Sequence, residues 1–498
     1  MSDKDYLLSF DIGSTAVKLI IFNKELKPVY SSQKAVPSYQ KDGFQIQKAE
    51  DWWELIKELS QKMLKESSIS AAEIAAVSST GQMEDCLLLD QKGEPLTEVL
   101  LYSDGRAKKE YQFLVDKYSQ QSLNKMTGNH FDVLMSINKY LWLRENRAEA
   151  YKKHRHLILG AKDYLNFKLI GKNITDYTNA STTGFLAIEK MKFNQKLIAE
   201  LGFKEEYLPE LKAADEIIGT ITADTAAELG LKAGTKVING SGDVGASTLG
   251  AGALKVGDIY CYLGTTGWLA MPSNASSENK NLFSLSSTDG ENYIIAGAIL
   301  NAGQAYDWFL SNILNYQAID AEIYQEVEKK LSSLDSTKNQ SLFIPYLNGE
   351  RSPLKVSEKN GVFAELGADT DGWQLLAAVL EGVGFSLKHN LIEMIGSSSL
   401  FNKELQLNLI GGGSKSKIWP QMLADILESR VNVLDLEVGA PSLGAAMIAL
   451  KALGQIDDYG ELRQSFTITK SFKPHPKMRE YYQQKYQKYS QLVTKLFN

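Results

Sequence analysis

The sequence predicts an α/β protein made of two similar domains, and three observations support that prediction. Strand-like and helix-like segments alternate along the whole chain, which is typical of layered α/β folds. A strand followed by a small, hydroxyl-rich loop occurs at residues 10–15 and again at 261–266, so a duplicated domain is the simplest interpretation. The chain has 498 residues, 44% of them apolar, and a domain usually takes roughly 100 to 200 residues. We place the two domains at residues 1–245 and 246–498.

The first half opens with a predicted β-hairpin over residues 6–22, in which two apolar strands flank the turn Gly13-Ser14-Thr15. Short strands are expected at 74–77 and 85–90, and helical segments within 135–170. Between the hairpin and these strands, apolar residues recur at offsets of 4, 3 and 4 along one predicted helix: Trp52, Ile56, Leu59 and Met63. This half is therefore expected to be α/β throughout.

The second half repeats the opening pattern. Residues 258–263 predict a strand, 264–267 a turn and 268–271 the returning strand. Two strand–loop–helix units follow, and their loops, at 411–416 and 439–444, begin where the strands end. The last segment of the chain places tyrosines and apolar residues on one helical face, which we interpret as a packing helix.

Composition and charge exclude several classes of protein. The formal net charge is −6, from 54 basic and 60 acidic residues, without a basic block, so we expect no nucleic-acid partner. The sequence has no apolar segment of signal-peptide type and no uninterrupted apolar run near the ~18 residues of a membrane span. With Cys86 and Cys261 alone, disulfides and cysteine-rich zinc sites are not expected. We therefore expect a cytoplasmic protein without a membrane partner.

The two hairpin loops have the composition of a phosphate site. Consecutive small residues allow backbone N–H groups to point at one anion, and Gly13 and Gly264 each precede two hydroxyl-bearing residues. An ordinary tight turn explains either loop alone, but the same chemistry in both halves favours a phosphate held between two domains. The hydroxyl donors are Ser14, Thr15, Thr265 and Thr266, and Lys18 adds a positive charge.

Two aspartates stand in or beside loops of this kind. Asp11 lies at the mouth of the first loop, where a carboxylate near phosphates is favoured when a cation such as Mg²⁺ lies between them. Asp243 lies within residues 239–245, which contain Gly-x-Gly-x-x-Gly. A negative charge inside that loop argues against a dinucleotide site and favours a general base acting on a hydroxyl that attacks a phosphoryl group. For each aspartate, a structural turn residue is the alternative.

Other catalytic schemes find no candidate residues in the sequence. There is no Gly-x-x-x-x-Gly-Lys-Ser/Thr loop, no His-Glu-x-x-His motif and no cysteine pair for zinc. Both cysteines stand in apolar strands, where a small buried residue is the ordinary explanation.

A set of motifs stands in order along nearly the whole chain: Asp11-Ile-Gly-Ser-Thr-Ala-Val-Lys18, Gly81-Gln-Met83, Tyr102-Ser-Asp-Gly-Arg106, Lys162-Asp-Tyr164, Thr175-Asp-Tyr177, Gly242-Asp243, Gly264-Thr-Thr-Gly267, Tyr346-Leu-Asn-Gly-Glu-Arg351 and Leu409-Ile-Gly-Gly-Gly413. Together they resemble the FGGY family of carbohydrate kinases. The resemblance implies two duplicated actin-like, ribonuclease-H-like domains with an ATP cleft between them. It also implies ATP-dependent phosphorylation of a sugar or polyol hydroxyl.

The same resemblance implies roles for residues. Asp243 matches the general base, Asp11 and Asp243 are expected near the metal, and ATP and Mg²⁺ are the expected cofactors. With the ordinary aspartate pKa of about 3.9, Asp243 would be a weak base that acts mainly through its placement. The residues expected to bind ATP are Gly13, Ser14, Thr15, Lys18, Gly264, Thr265, Thr266, Gly411, Gly412, Gly413 and Ser414. The residues expected to contact the sugar are Gln82, Met83, Glu84, Asp104, Arg106 and Asp243.

Within the family, the Gly-Gln-Met motif is similar to the xylulokinase and gluconokinase branch, where a histidine usually follows; here Glu84 follows. The expected substrate is therefore a small ketose such as D-xylulose, phosphorylated at a primary hydroxyl, with gluconate or another sugar acid or polyol as the alternative. Alternatives of other classes are an actin-like conformational ATPase and a dinucleotide-dependent oxidoreductase. The oligomeric state is left open, with a homodimer as one option.

Overall fold

Two mixed β-sheets, one in each half of the chain, organise the protein in the computed structural model, which describes residues 6–279, 281–356, 358–396 and 405–497. The strands of the first half are β1 (Tyr6–Ile12), β2 (Ala16–Phe22), β3 (Pro28–Ala35), β4 (Tyr39–Lys41), β5 (Phe44–Gln47), β6 (Ile74–Gly81), β7 (Leu87–Leu89), β8 (Val99–Leu100), β9 (His156–Ile158), β10 (Ile174–Asp176), β11 (Leu186–Ala187), β12 (Lys192–Phe193), β13 (Glu210–Lys212), β14 (Ile217–Thr220) and β15 (Lys236–Gly242). Its helices are α1 (Ala49–Glu66), α2 (Lys108–Tyr118), α3 (Gln120–Thr127), α4 (Ser136–Asn146), α5 (Ala148–Lys153), α6 (Ala161–Ile170), α7 (Tyr177–Ala180), α8 (Gln195–Glu200), α9 (Ala223–Leu229) and α10 (Asp243–Gly250).

The second half is built in the same way. Its strands are β16 (Ile259–Leu263), β17 (Gly267–Ser273), β18 (Phe283–Ser286), β19 (Tyr293–Ile299), β20 (Leu342–Ile344), β21 (Val362–Ala364), β22 (Gln406–Ile410), β23 (Arg430–Leu434) and β24 (Ile468–Phe472). Its helices are α11 (Gly303–Asn312), α12 (Ala321–Ser332), α13 (Gly372–Ile395), α14 (Trp419–Leu427), α15 (Ala440–Ala452) and α16 (Pro476–Phe497).

The two sheets share strand order and strand direction. The first has the order β14-β15-β6-β1-β2-β3, and the second β18-β19-β17-β16-β22-β23-β24. β1 runs antiparallel to β2 and parallel to β6, and β16 runs antiparallel to β17 and parallel to β22. The outer pairs match as well, because β14 is antiparallel to β15 and β24 to β23. The predicted duplication is confirmed, with β18 as an additional edge strand.

The end of β15 and the start of β16 mark the change from one sheet to the other. β15 ends at Gly242 in the first sheet, and β16 opens the second sheet at Ile259. Helix α10 lies between them. The division of the chain into residues 1–245 and 246–498 stays a prediction.

Local sequence patterns explain most elements of the first half. β1 and β2 form the predicted hairpin, closed by a hydrogen bond of 3.0 Å from the Gly13 N–H to the Ala16 carbonyl. The four residues predicted to share one helical face are all buried in α1. β6 is longer than predicted, because its parallel neighbours β1 and β15 extend the pairing to Gly81. β7 is shorter than predicted, because Asp90 begins a turn in which its N–H donates to Glu94.

Helices α10 and α15 cross between the two sheets. α15 belongs to the second half, yet residues 446–450 pack into the apolar cluster of β1, β2, β6 and β15. Glycines allow the backbones to touch at the crossing. A side-chain carbon on Gly444 would lie 1.8 Å from the carbonyl oxygen of Ala246, and one on Gly250 would lie 1.9 Å from that of Ala440. Direct backbone contact therefore fixes the two halves against each other.

One helix among the described residues, α13, is long and apolar enough by length and composition to cross a membrane. Its apolar window is 83% buried inside the protein, where it packs against β17, β19 and β20. Glu381 in the middle of α13 forms a buried ion pair with Lys485 of α16. The helix is thus the central core element of the second half.

The substitution Gly444→Ala tests the helix crossing. Alanine contributes about 1 kcal/mol of helix propensity relative to glycine, whereas overpacking typically costs about 1 to 3 kcal/mol, occasionally more. Because the neighbouring atom at Gly444 is a backbone oxygen, we expect the clash to prevail. The free energy of unfolding, measured by urea denaturation, should fall by about 2 kcal/mol or more.

Gly105→Ala is the matched control for that measurement. A side-chain carbon at Gly105 meets nothing nearer than Leu134, at 3.7 Å, so this variant should unfold close to the unmodified protein. An unchanged or increased unfolding free energy for Gly444→Ala would show that the two helices have room to separate.

Candidate active site

A cleft of about 1350 Å³ lies between the two sheets. Its walls come from both halves: the two hairpins, the residues after β6, the start of α10, and the loops after β22 and β23. This volume exceeds the roughly 300 to 1,000 Å³ of a usual small-molecule pocket, so two substrates can occupy it together. The predicted site residues that line it are Asp11, Gly13, Ser14, Thr15, Lys18, Gln82, Met83, Glu84, Asp243, Thr266, Gly411, Gly412 and Ser414.

Three further residues predicted to bind ATP lie beside the lining rather than in it. Gly264 and Thr265 precede Thr266, which does line the cleft, and Thr265 is exposed at the tip of the hairpin. Gly413 stands between the lining residues Gly412 and Ser414. These residues thus belong to the loops that border the cleft, each next to a lining residue.

Asp104 and Arg106, predicted as sugar contacts, are not found at the cleft wall. They form an ion pair of 2.8 Å, and their side chains are 0% and 3% exposed. The Arg106 guanidinium also lies between the rings of Phe44 and Trp142, 4.9 Å from each ring centre. Two aromatic rings and a carboxylate hold the guanidinium, while its Nη1 atom is buried without a hydrogen-bond partner. The pair lies close in sequence to Tyr102, which does line the cleft.

Each hairpin presents a pair of directly opposed side chains to the cleft. Asp11 opposes Lys18 across β1 and β2, with 3.0 Å between the Asp11 Oδ2 and Lys18 Nζ atoms. At the matching place in the second sheet, Tyr262 opposes Trp268, and their rings stack with centres 4.0 Å apart. One hairpin therefore offers charge and the other an aromatic surface. The sequence comparison of the two loops missed the aromatic pair.

One buried glutamine joins the first hairpin to the predicted sugar residues. Gln47 Nε2 donates to the Ser14 carbonyl at 2.7 Å, and Gln47 Oε1 accepts from Gln82 Nε2 at 3.1 Å and from Trp52 Nε1 at 3.1 Å. Because Gln47 is fully buried, these bonds fix the spacing between the loop and Gln82. No local sequence signal marks Gln47 for this role.

Asp243 is the first residue of α10, directly after β15. The pairing of β15 with β6 shifts register between Ile238 and Ser241. Gly240 makes this shift possible, since it has φ of 72° and a side-chain carbon there would lie 1.8 Å from the Ser79 carbonyl oxygen. Burial, followed by the charge of Asp11, raises the pKa of Asp243 to about 7. The ordinary aspartate pKa expected from the sequence is therefore wrong, and the carboxylate is matched to proton transfer near neutral pH.

A buried charge cluster lies behind the strand that ends at Asp243. Lys162 Nζ lies 2.7 Å from Asp163 Oδ1 and 3.0 Å from Asp176 Oδ1. It also lies 3.3 Å from Asn239 Oδ1, and Asn239 precedes the glycine of the register shift. All four side chains are buried. Breaking such a cluster is costly, because it leaves an unpaired charge inside the protein.

Asp176 connects this cluster to the residue before Asp243. Its Oδ1 accepts a hydrogen bond from the Gly242 N–H, and its Oδ2 accepts one from the Ser241 hydroxyl, each at 3.2 Å. Asp163, on the other side of Lys162, accepts from Asn179 Nδ2 at 2.8 Å instead. Of the two carboxylates, Asp176 is thus the one that holds the strand end.

Two buried ionisable residues, Asp85 and Lys139, lie beside Glu84 on the sugar side. Asp85 is buried next to Glu84, and burial raises its pKa well above the usual aspartate value, against the opposing charge of Lys139. Lys139 is itself fully buried, and its Nζ donates to the Glu84 carbonyl at 2.8 Å. Their roles depend on contacts between segments that are distant in the chain.

The far wall of the cleft consists of the loops after β22 and β23. The Ser414 hydroxyl donates to the Gly411 carbonyl at 2.7 Å and closes the first of these loops. Gly439 ends the second loop, and a side-chain carbon there would lie 3.6 Å from Lys18 Nζ. The charged hairpin of the first half therefore meets the start of α15.

Asp11 and Asp243 are the side chains best placed to hold a divalent cation. Both line the cleft, and the charge of Asp11 raises the pKa of Asp243, so a cation between them would relieve their repulsion. Mg²⁺ is usually bound by one or two carboxylates together with substrate phosphates and water, and this donor set fits it. No group of three or more His, Cys, Asp or Glu suited to a metal occurs within the described ranges.

Comparisons with known proteins identify the family. The sequence model of the FGGY carbohydrate kinase N-terminal domain matches residues 6–250, and that of the C-terminal domain matches residues 259–453. This chain belongs to the FGGY family of carbohydrate kinases. The xylulose kinase of Bacillus subtilis is 30% identical over 467 residues, which cover 93% of this chain and 91% of the relative.

Two solved structures of kinases agree with this assignment. A ligand-bound xylulose kinase from Lactobacillus acidophilus superimposes with a TM-score of 0.90 at 26% identity, covering 99% of this chain and 98% of the other. A gluconate kinase from the same organism superimposes with a TM-score of 0.89 at 26% identity and the same coverage. The predicted family and the actin-like, two-domain fold are confirmed.

The family decides between the classes left open by the sequence. The protein is a carbohydrate kinase, and FGGY kinases use ATP as the phosphate donor. The alternatives of a conformational ATPase and of a dinucleotide-dependent oxidoreductase are therefore not supported. The predictions of a cytoplasmic location, of no nucleic-acid or membrane partner, and of a homodimer as one option stay predictions.

Asp176→Asn and Asp163→Asn form a matched pair of variants. Each removes one carboxylate charge from the same buried lysine, but only Asp176 bonds to Gly242 and Ser241. A misplaced reacting group can cost about 10- to 100-fold in rate, so we expect Asp176→Asn to lower kcat of sugar-dependent ADP release by about that factor. Asp163→Asn should retain more of kcat, while both variants melt at lower temperature. Equal losses of kcat in the two variants would show that the cluster has a purely structural role.

Proposed function

We propose that the protein transfers the terminal phosphoryl group of ATP to a primary hydroxyl of a small ketose, with D-xylulose as the first candidate. The observation that carries the proposal is the position of Asp243, which shares the cleft with both hairpins and with Gln82, Met83 and Glu84. The ketose is supported by the names of the relatives, since a xylulose kinase is 30% identical to this chain.

Asp243 would act as the general base. Its carboxylate, with a pKa of about 7, accepts the hydroxyl proton while the hydroxyl oxygen attacks the terminal phosphorus and the bond to the ADP oxygen breaks. Asp176 holds Gly242 and Ser241, and thereby the end of the strand on which Asp243 stands. Because the transition state of phosphoryl transfer is loose, this placement matters as much as basicity.

The two hairpins would hold the phosphates. Gly13, Ser14 and Thr15 supply backbone and hydroxyl donors on one side, and Gly264, Thr265 and Thr266 supply them on the other. Lys18 would add charge to the first hairpin, and the loop of Gly411, Gly412, Gly413 and Ser414 would face the adenosine. Mg²⁺, held by Asp11 and Asp243, would neutralise charge on the transferring group.

Gln82, Met83 and Glu84 would contact the sugar from the first domain. Gln82 is held by Gln47, which also bonds to Ser14, so sugar and phosphate sites keep a fixed spacing. Asp104 and Arg106 would act indirectly, through the loop of Tyr102. Closure around the correct sugar would exclude water from the phosphoryl group and limit ATP hydrolysis.

Gluconate is the second candidate substrate. It is favoured by the similarity to the gluconate kinase from Lactobacillus acidophilus, with 26% identity and a TM-score of 0.89. Glu84 weighs against it, because a sugar acid would bring its carboxylate toward a like charge. A neutral ketose avoids this repulsion.

The variant Asp243→Asn tests the general base. It should still bind ATP and D-xylulose, as measured by calorimetric titration, because the amide occupies the same space. Its kcat should fall by about 10²- to 10⁴-fold, the usual contribution of a positioned base. Asp116→Asn, which makes the same change at an exposed position of α2, is the control and should keep its kcat. Full turnover by Asp243→Asn would remove this residue from catalysis.

A panel of acceptors tests the substrate class. Sugar-dependent ADP release would be measured with D-xylulose, other ketopentoses, glycerol, tetritols and gluconate. We expect the highest kcat/KM with a ketopentose and little ATP hydrolysis without sugar, since closure requires the acceptor. A preference for gluconate would favour the second candidate. ATP hydrolysis that ignores every acceptor would contradict the proposed function.

A further inference from the structure

A small chamber of about 40 Å³ lies next to the cleft, beside Glu84. It shares Glu84, Phe283 and Arg351 with the large cleft, so the two cavities adjoin at these residues. Residues of both halves of the chain line the chamber. A few water-sized groups fit in this volume, which corresponds to one hydroxymethyl end of a small sugar.

The backbone at Glu84 is held in an unusual conformation. Glu84 has φ of 60°, in the left-handed region that residues other than glycine seldom adopt. Lys139, fully buried, donates to the Glu84 carbonyl at 2.8 Å. Such strain persists only where the surroundings fix it, and it concentrates at functional sites. Glu84 borders both the cleft and the chamber.

Arg351 borders the chamber from the second half. Its guanidinium lies over the Phe283 ring, 4.8 Å from the ring centre. The next residue is fixed on two sides, because the Ser352 hydroxyl donates to the Asn281 carbonyl at 2.6 Å and Asn390 Nδ2 donates to the Ser352 carbonyl at 3.0 Å. Arg351 therefore stands on an anchored loop.

Glu84 and Arg351 interact through their charges without forming an ion pair. The charge of Arg351 opposes the effect of burial, which raises the pKa of Glu84. Both residues are among those described and border one chamber. The Arg351 nitrogens and the Glu84 carboxylate oxygens form no ion pair within 4 Å. The other two charged residues of the chamber, Lys355 and Asp132, neutralise each other in an ion pair. An acceptor from the first half and a donor of opposite charge from the second half thus border the same chamber.

We propose that this chamber is a subsite for the neutral, hydroxyl-bearing end of the sugar that lies away from Asp243, with Glu84 accepting and Arg351 donating hydrogen bonds to it. A hydroxyl group can do both at once, because it is donor and acceptor. A carboxylate offers acceptors alone, and it would pair with Arg351 only by approaching Glu84. The chamber therefore selects ketoses and polyols over sugar acids. This inference rests on the proposed function and names its substrate class.

The subsite also links sugar binding to the two halves of the molecule. Glu84 belongs to the first half and Arg351 to the second, so one bound hydroxyl bridges the cleft walls. Binding energy from the far end of the substrate can in this way favour closure at the reacting end.

Three variants test the subsite: Arg351→Gln, Glu84→Gln, and the control Arg463→Gln, which makes the same change in a surface ion pair with Asp258. We expect Arg351→Gln to raise the KM for D-xylulose about 10- to 100-fold, the effect of losing a charged hydrogen bond, with the KM for ATP unchanged. Glu84→Gln should raise the ratio of gluconate to D-xylulose kcat/KM about 10-fold or more. The control should resemble the unmodified protein.

Two results would overturn the subsite. One is an Arg351→Gln variant with unmodified melting temperature and an unmodified KM for D-xylulose. The other is an unmodified protein that prefers gluconate and loses that preference in Arg351→Gln, which would make the chamber a carboxylate site. Failure of the proposed function would give a different result, because the unmodified protein would then release ADP at the same rate with or without an acceptor. In that case calorimetric titration of D-xylulose decides: tighter binding by the unmodified protein than by Arg351→Gln supports the subsite, and equal or absent binding overturns it.

Discussion

The backbone contact between α10 and α15 is the constraint on which the rest of the molecule depends. Both helices begin at the cleft: Asp243 opens α10, and Ala440 opens α15 directly after the loop beside Lys18. Their N-termini carry the positive ends of the helix dipoles, which suits a cleft that receives phosphates. Had the helices been separated by side chains, the two hairpins would stand farther apart. The small residues at Gly444 and Gly250 thus determine the width of the site.

The duplication gives both lobes the same strand arrangement, and the lobes differ chemically in the pair of opposed residues that faces the cleft. The strand pairs β1/β2 and β16/β17 have equivalent places in their sheets, yet the opposed residues facing the cleft are Asp11 and Lys18 in one and Tyr262 and Trp268 in the other. Two charged pairs would place four ionic side chains around one triphosphate. An aromatic pair gives the second lobe a rigid wall instead. The charged pair of the hairpins is therefore found in the lobe that carries Asp243.

Much of the fold could be predicted from the sequence, because its determinants are local. Turn residues and apolar alternation define the hairpin of β1 and β2, and the spacing of Trp52 to Met63 defines α1. The raised pKa of Asp243 could not be predicted, because it arises from burial and from Asp11, more than two hundred residues away in sequence. The same holds for the burial of Arg106, because Phe44, Trp142 and Asp104 surround its guanidinium inside the protein; its contact with the sugar stays a prediction.

The distribution of buried charge explains why this cleft suits transfer to a sugar better than hydrolysis. Burial raises the pKa values of Asp11, Glu84, Asp85 and Asp243, while the nearest buried lysines are already engaged, Lys139 on a carbonyl and Lys162 on two carboxylates. Burial already disfavours the charged forms of these carboxyl groups, and phosphates entering without a cation would disfavour them further. A divalent cation delivered with ATP would offset the repulsion between Asp11 and Asp243, and hydroxyls on the sugar would satisfy Glu84 and Arg351. A single water molecule can bond to Glu84 or to Arg351, but it cannot extend from there to Asp243 as a sugar does, so the arrangement favours reaction when both substrates are bound.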